Sequence, residues 1–288
     1  MPVTILTRLT RQADIRTIRF GDAKLSYVPD GYVGLKPRGW FPEASDADWE
    51  TYREYIGPDG YLMASIGALL VERDGRAILI DAGAGAETIR MDPDHPHVGD
   101  LHSGALVDSL ARLGRTPAEI ESIAITHLHL DHIGWATEPA FAGAEIVMSE
   151  QEWAGRAVSV HHGTSEAALA VMEPRLRTAS DGEEIFPGVR VLATPGHTPG
   201  HAAYEIAGDE GRRVIFFGDA MHSSIQINHP DWHSGSDDER PLAAKSRHAL
   251  LAELTKPGTL GFGVHFADIQ FGHVRRSDTG LSWNPLND

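Results

Sequence analysis

The chain has 288 residues, a formal net charge of −16 from 41 acidic and 25 basic side chains, 16 histidines and no cysteine. The negative charge argues against nucleic-acid binding because it repels phosphate groups, and the lack of cysteine excludes disulfide bonds and thiolate metal ligands. Since the sequence shows neither a run of about 18 apolar residues nor a secretory signal in its first 16 residues, we expect a cytoplasmic protein that does not insert into a membrane.

The first third of the sequence predicts two β-hairpins with a long excursion between them. Residues 14–33 alternate about a turn at Gly21-Asp22, and residues 67–83 form two apolar runs about a turn at 73–75. Residues 35–61 are rich in proline, glycine, tryptophan and acids, so we interpret them as an irregular excursion that acts as a lid or as an arm in a homodimer. Residues 91–102 predict another loop.

Helix and strand patterns are mixed in the remaining sequence. Leucines at helical spacing follow Ser103, which we predict as their N-cap, and Thr116-Pro117-Ala118-Glu119 has the capping-box pattern of a short helical turn. Strands are predicted at 121–126, 144–149, 188–194, 201–207 and 212–218, and a helix at about 241–255. This mixture predicts an α/β protein built around packed sheets. Because no repeat or linker divides the sequence, we expect one domain over residues 1–288.

Residues 126–132, with the sequence THLHLDH, contain four potential metal ligands. Residues i and i+2 of an extended chain project to the same side, so His127 and His129 can point at one ion. Asp131 has the same parity, and a turn there brings His132 to a neighbouring position. Imidazole and carboxylate ligands suit zinc, manganese, iron, cobalt or nickel. A lone histidine is usually an ordinary surface or core residue, but four such groups at the end of an apolar strand indicate a metal site.

Three further candidates follow other predicted strands. His197 comes after a Pro195-Gly196 turn, Asp219 after the apolar residues 214–217, and His265 after residues 258–264. Each lies where a rigid strand gives way to a loop, which is where binding groups are commonly positioned. We therefore predict that these residues complete two metal sites with those of 126–132.

The order and spacing of these seven residues resemble the motif of the metallo-β-lactamase superfamily. The resemblance extends from about Gly67 to His265 and implies a four-layer αββα sandwich with the metals at one edge. It implies that one ion is held by three histidines, the other by two histidines and an aspartate, and that an aspartate bridges both: His127, His129 and His197; Asp131, His132 and His265; and Asp219. It also implies that Asp81 orients a ligand by a hydrogen bond, while His201 is a supporting or merely structural residue.

Residues 218–232 are most similar to the branch that contains methyl parathion hydrolase and quorum-quenching lactonases. This similarity implies a hydrolase of small lactones or other esters that uses two divalent ions, with zinc preferred. Asp131 is expected to position the attacking hydroxide or to shuttle its proton. The better-known lactonases carry a tyrosine three residues after the bridging aspartate; here that position is His222, a candidate hydrogen-bond donor to the substrate. The alternatives are a phosphotriesterase of the same fold and a non-catalytic metal-binding protein.

Several side chains near the motifs are candidates for an apolar substrate pocket, or alternatively for the core: Trp40, Phe41, Trp135, Met221 and Phe266. We interpret the three histidines at 95, 97 and 102 as part of a solvated loop rather than a third metal site. The acidic stretches 46–54 and 237–240 are interpreted as solvated faces.

Overall fold

Two mixed β-sheets form the centre of the structure, a computed structural model that describes residues 5–161, 163–278 and 280–286. The strands of the first sheet are β1 (Arg16–Phe20), β2 (Ala23–Leu35), β3 (Leu62–Arg73), β4 (Arg76–Ile80), β5 (Val98–His102), β6 (Ser122–Ala124), β7 (Glu145–Ser149) and β8 (Leu176–Ala179). They are ordered β1-β2-β3-β4-β6-β7-β8, with β5 paired to β2. The pairs from β1 to β4 are antiparallel and those from β4 to β8 are parallel.

The second sheet follows in the chain and keeps the sequence order of its strands. It consists of β9 (Glu184–Phe186), β10 (Val189–Ala193), β11 (Ala202–Ala207), β12 (Arg213–Phe216), β13 (Thr259–Phe262), β14 (Phe271–Ser277) and β15 (Gly280–Pro285). Only the pair β12–β13 is parallel, because the long helix that connects these strands returns the chain to the same end of the sheet.

Nine α-helices lie outside or between the sheets in the described residues: α1 (Ile5–Arg8), α2 (Pro37–Trp40), α3 (Asp46–Thr51), α4 (Leu106–Arg112), α5 (Leu130–Ile133), α6 (Glu150–Ala154), α7 (Arg156–His161), α8 (Glu166–Met172) and α9 (Arg240–Leu254). Short 3-10 helices occupy Arg53–Tyr55, Pro117–Glu119, Gly134–Thr137, Pro139–Phe141, Glu173–Arg175, Asp209–Gly211, Gly218–Ala220 and Ser224–Ile227. None of the helices described is both long and apolar enough to cross a membrane.

The alternation of side chains along the strands produces four layers. In β12, Val214 and Phe216 point into the core between the two sheets, whereas Ile215 points to the opposite face and packs with Leu250 and Leu254 of α9. Because strand side chains alternate with a period of two, one apolar strand can serve two cores. The outer face of the first sheet is covered in the same way by α4 and its neighbouring helices. The predicted αββα sandwich is confirmed.

The excursion is more regular than the sequence predicted. β2 extends to Leu35, and residues 35–61 contain α2, α3 and a 3-10 turn. A capping box starts α3: Asp48 N–H donates to Ser45 Oγ, and the Asp48 carboxylate accepts from Ser45 N–H. This local bonding let helices form in a stretch whose proline and glycine content suggested an irregular chain. Trp40 and Trp49 are buried here, together with Phe41, in an apolar cluster that we call the excursion cluster.

Two other local predictions were wrong. Residues 98–102 form β5 rather than a loop, because β1 begins at Arg16 opposite Tyr27 and leaves the later part of β2 free to pair with a different strand. Ser103 does not cap α4: its hydroxyl donates to the carbonyl of Glu87, and Ala105 occupies the N-cap position. The predicted capping box at Thr116 and Glu119 is confirmed.

Candidate metal centre

The predicted ligands follow the ends of four strands at one edge of the sandwich. After β6 ends at Ala124, the chain stays extended to His129, and α5 then carries Asp131 and His132. His197 lies between β10 and β11. Asp219 lies in the 3-10 helix after β12, and His265 follows β13. The first sheet thus contributes four of these residues and the second sheet three.

The Asp219 carboxylate lies at the centre of the cluster. Its Oδ1 is 3.2 Å from His132 Nε2 and 3.0 Å from His265 Nε2. Its Oδ2 is 3.4 Å from His197 Nε2 and 3.8 Å from His127 Nε2. The two oxygens of one side chain therefore face two different pairs of imidazoles.

All seven predicted residues fall into two compact groups. In each group, the potential ligand atoms lie within 4.8 Å of one another; the groups are His127, His129, His197 and Asp219, and Asp131, His132 and His265. Asp131 joins the second group through its Oδ2, which is 3.7 Å from the Nε2 atoms of both histidines. Among the residues described, the Nε2 atoms of His127 and His132 are buried and have no hydrogen-bond partner. Buried imidazole nitrogens of this kind fit a coordinated cation, since buried polar atoms otherwise find partners.

The charges of the centre favour a cation at this place. Burial opposes ionisation of Asp219, but the surrounding imidazoles, led by His265 and His132, outweigh it and hold the pKa of the carboxyl well below its usual value. Burial likewise opposes protonation of His132, but the Asp219, Asp131 and Asp81 carboxylates together raise its pKa well above the usual value. For His127, burial and the neighbouring imidazoles lower the pKa well below the usual value. A divalent ion would supply positive charge while leaving each imidazole neutral, as coordination requires.

Asp81 forms the hydrogen bond expected of it. Its Oδ2 accepts from His132 Nδ1 at 2.8 Å and from Thr126 Oγ1 at 3.0 Å, and Oδ1 accepts from Thr126 N–H. The Thr126 hydroxyl in turn accepts from His127 Nδ1. Asp81 has a φ of +61°, which is unfavourable for a residue with a Cβ and occurs most often where the surrounding structure enforces it. One strained aspartate thus orients an imidazole of each group.

Two more imidazoles, those of His265 and His197, are oriented by residues that are distant from them in the sequence. His265 Nδ1 donates to the carbonyl of Ser65 at 2.9 Å, and His197 Nδ1 donates to Asp237 Oδ1 at 3.1 Å. The sequence interpretation of Asp237 as part of a solvated face was wrong: the residue is buried and pairs at 3.0 Å with the buried guanidinium of Arg247. These partners leave Nε2 of each histidine directed at the centre. No local pattern marks Asp237, because His197 is 40 residues away in the sequence.

His201 and His222, which lie in the half of the chain that forms the second sheet, each form a hydrogen bond with Asp219. His201 Nε2 accepts the backbone N–H of Asp219 at 3.0 Å, while its Nδ1 is held by Thr194. Burial and His197 lower the pKa of His201 to about 3, so this imidazole is neutral. His222 Nε2 donates to Asp219 Oδ2 at 3.0 Å, and its Nδ1 is buried. Both histidines therefore act on the position of Asp219.

A cavity of about 480 Å³ opens onto the centre. Its polar lining includes His129, Asp131, Asp219, His222 and His265, and its apolar lining includes Val33, Leu35, Ala64, Ile89, Val98 and Leu101. Trp40 lines this cavity as expected and meets the His222 ring edge-on at a centroid distance of 5.0 Å.

The remaining pocket candidates belong to the core. Phe41 packs inside the excursion cluster, Trp135 packs against the first sheet, and Met221 and Phe266 pack on the α9 side. His95 and His97 lie in a partly exposed loop, as predicted, and this loop lines the cavity, whereas His102 belongs to β5 and stacks on Tyr32. The pairing of β5 with β2 folds this segment over the centre, and proline-interrupted spacing gives no sign of it.

Comparisons with known proteins agree with this architecture. A family model of the metallo-beta-lactamase superfamily matches residues 66–263. An N-acyl homoserine lactonase from Bacillus sp is 29% identical over 250 residues, which cover 81% of this chain and 90% of that protein. The metallo-beta-lactamase domain-containing protein 1 of Xenopus laevis is 26% identical over 238 residues, which cover 82% and 91%.

Solved structures show the same fold over nearly the whole chain. AidC, a dizinc quorum-quenching lactonase in complex with a product, matches with a TM-score of 0.80 at 24% identity and covers 98% of this chain and 99% of its own. The hydrolase AbOPH, described as a member of the beta lactamase superfamily, matches with a TM-score of 0.81 at 24% identity and covers 97% and 99%. Since the family model spans more than half of the sequence and the fold agrees, this chain belongs to the metallo-β-lactamase superfamily.

Proposed function

We propose that this chain is a dinuclear metal-dependent hydrolase that opens lactones or cleaves other small esters. One observation carries the proposal: the two oxygens of Asp219 face two different groups of potential ligands, and members of both groups line a cavity with an apolar wall. Sequence relatives described as N-acyl homoserine lactonases support the choice of lactones.

The proposed ligand assignment follows the two groups. In this assignment His127, His129 and His197 would hold the first ion, and Asp131, His132 and His265 the second. Asp219, whose carboxylate faces both groups, would be shared between the two ions. Zinc is our preferred metal because its usual ligands are of these types and because AidC is a dizinc enzyme; manganese, iron, cobalt and nickel accept the same ligands. When bound, two such ions supply a Lewis acid for the acyl oxygen and lower the pKa of a water molecule towards neutrality.

Asp131 is our candidate for proton transfer. Its side chain is 20% exposed whereas that of Asp219 is 5% exposed, and it lines the cavity. We assign to it the proton released when water attacks the acyl carbon. As the acyl C–O bond breaks, Asp131 returns this proton to the alcohol oxygen that leaves. A lactone then yields a hydroxy acid, with all atoms of water incorporated.

His222 acts on the reaction through Asp219. Its Nε2–H is directed at Asp219 Oδ2, and its ring forms part of the cavity. We therefore propose that it orients the bridging carboxylate; the donation of a hydrogen bond to the substrate stays a prediction of the sequence. A cytoplasmic location and a homodimer likewise stay predictions.

The test is an assay of the zinc-loaded protein on lactones with short and long acyl groups, aryl esters and an aryl phosphotriester. We expect turnover of lactones or esters, and a loss of at least about 100-fold in kcat/KM in Asp219→Ala, since the bridge between the ions is removed. Asp209→Ala is the control, because Asp209 is exposed and precedes β12, so that it lies at the opposite end of this strand from Asp219. Turnover confined to the phosphotriester would favour that alternative, and two bound ions without any turnover would favour a non-catalytic metal protein.

A further inference from the structure

Glu152 is a buried carboxylate outside the predicted ligand set. It lies on the short helix α6 and is 1% exposed. Burial raises the pKa of its carboxyl, while hydrogen bonds from Thr198, Leu128 and Gly200 oppose the rise. A buried carboxylate is costly unless its oxygens are satisfied, so the identity of its partners shows what it stabilises.

The partners of Glu152 come from two separate loops. Oε1 accepts the Leu128 N–H at 2.8 Å, and Oε2 accepts the Thr198 hydroxyl at 2.7 Å and the Gly200 N–H at 3.1 Å. Leu128 lies between His127 and His129, and Thr198 directly follows His197. One carboxylate therefore connects the two loops that carry all three histidines of the proposed first ion.

The contact between α6 and the second of these loops is close. A Cβ on Gly200 would lie 1.9 Å from the backbone nitrogen of Glu152, so only glycine allows this approach. Ser149, the N-cap of α6, accepts the Glu152 N–H and donates its hydroxyl to the carbonyl of Gly200 at 2.5 Å. Hydrogen bonds therefore hold both the backbone N–H of Glu152 and its carboxylate.

The second group is oriented by other residues. His132 is held by Asp81 and His265 by the carbonyl of Ser65, and neither contact involves α6. Glu152 therefore supports the first group, whereas Asp81 reaches both groups, His132 directly and His127 through Thr126. The Asp219 carboxylate also faces both groups.

We propose that Glu152 is a positioning residue that keeps the loops of His127, His129 and His197 together so that they bind one ion, and that it acts on this ion rather than on the other. The inference rests on the ligand assignment of the proposed function. Outer partners of metal ligands typically change metal affinity by about 10–100-fold, which sets the expected size of the effect.

The central variant is Glu152→Gln. Glutamine has almost the same shape, but its NH₂ group must face Leu128 N–H or the pair of donors from Thr198 and Gly200, so at least one donor loses its acceptor. Thr198→Val is a milder variant that removes one of the three hydrogen bonds. Glu150→Gln, an exposed residue of the same helix, is the matched control.

The measurement is a titration of the zinc-loaded protein with a chelator, with zinc counted per chain and folding followed by circular dichroism. We expect Glu152→Gln to lose one ion at a free zinc concentration about 10–100-fold higher than the wild type does, and to keep the other at its normal affinity. Thr198→Val should weaken the same ion less, and Glu150→Gln should behave as the wild type. Wild-type retention of both ions in Glu152→Gln, or their release together as the protein unfolds, would overturn the proposal.

Asp131→Ala shows which ion is affected. In the proposed assignment Asp131 is a ligand of the second group alone, so we expect this variant to weaken one ion and the double variant with Glu152→Gln to weaken both. If the double variant still holds one ion as tightly as the wild type, both residues act on the same ion and the proposal is wrong. A wild-type protein that binds fewer than two ions would refute the ligand assignment itself. This outcome is read from the wild type alone and is therefore distinct from a failure of the proposal for Glu152.

Discussion

At the scale of single residues, the centre depends on carboxylates that the ligand motif does not contain. Asp237 is one of them, since it orients His197 and neutralises the buried Arg247. Burial opposes ionisation of Asp237, but His197 and Arg247 outweigh it and lower the pKa of the carboxyl. Asp237 is therefore negatively charged at neutral pH, accepts a hydrogen bond from the proposed metal ligand His197 and forms an ion pair with the buried Arg247.

Asp237→Asn should show both roles. Asparagine keeps the shape but removes the charge, so we expect about 10–100-fold weaker zinc binding and a free energy of unfolding lower by about 3–5 kcal/mol, the usual cost of breaking a buried ion pair. Chelator competition and urea unfolding measure the two effects. Asp231→Asn, on the same loop but 80% exposed and paired with the exposed His248, should change either quantity little. Normal zinc affinity in Asp237→Asn would show that His197 needs no carboxylate partner.

The ligands could be predicted from the sequence, but most of their supports could not. His127, His129, Asp131 and His132 stand within six residues at the end of an apolar strand, so their local spacing carries the signal. Asp81 was found only because it ends an early strand in a known family element. Glu152 and Asp237 have no such local signal: the loop residues that Glu152 connects lie 24 to 48 residues away from it, and His197 lies 40 residues away from Asp237.

At the scale of elements, α5 is the unit that places two ligands of the second group. Its C-terminal end is docked on the loop after β4: Ala82 N–H donates to the His132 carbonyl at 2.7 Å, and Gly134 N–H donates to the Gly83 carbonyl at 2.8 Å. Gly134 permits this contact because a Cβ there would lie 2.0 Å from the carbonyl carbon of Ala84. The position of Asp131 and His132 therefore depends on a glycine that carries no chemistry.

Gly134→Ala should displace α5 from this loop. Overpacking of a close contact typically costs about 1–3 kcal/mol, and the shift moves Asp131 and His132, so we expect lower stability in urea and weaker binding of one zinc ion. Gly143→Ala is the control, because a Cβ at Gly143 meets no atom within 4 Å. If Gly134→Ala lost no more stability than Gly143→Ala, the docking of α5 would not depend on the glycine.

The elements that could be predicted are those whose pattern is long or strongly punctuated. The hairpins, the strand before the ligand motif and the helix near 241–255 were correctly predicted, and α9 spans Arg240–Leu254. The elements that were missed are short or depend on distant pairing, as with β5, which forms because β2 offers it an open edge. The walls of the cavity were missed for the same reason, since His95 and His97 reach it only when β5 is in place.

At the scale of the whole molecule, the centre lies where the two sheets meet. His127 and His132 follow a strand of the first sheet, and Asp219 and His265 follow strands of the second. Near the centre the sheets are thus joined by polar side chains instead of the apolar core that packs them elsewhere. Metal ions bound here would connect the two halves of the sandwich, so metal binding and folding should be linked.

Removal of zinc should therefore lower the melting temperature of the whole protein. A ligand that binds only the folded state stabilises it by about 2.7 kcal/mol at a free concentration of 100 times its dissociation constant, and each kcal/mol corresponds to about 2–4 °C for a chain somewhat smaller than this one. We expect a fall of several degrees on chelation, measured by differential scanning calorimetry, and recovery when zinc is restored. Asp219→Ala, which keeps the other ligands but lacks the shared carboxylate, should show a smaller fall on chelation than the wild type. An unchanged melting temperature of the wild type after complete zinc removal would mean that the sheets are held together by their apolar core alone.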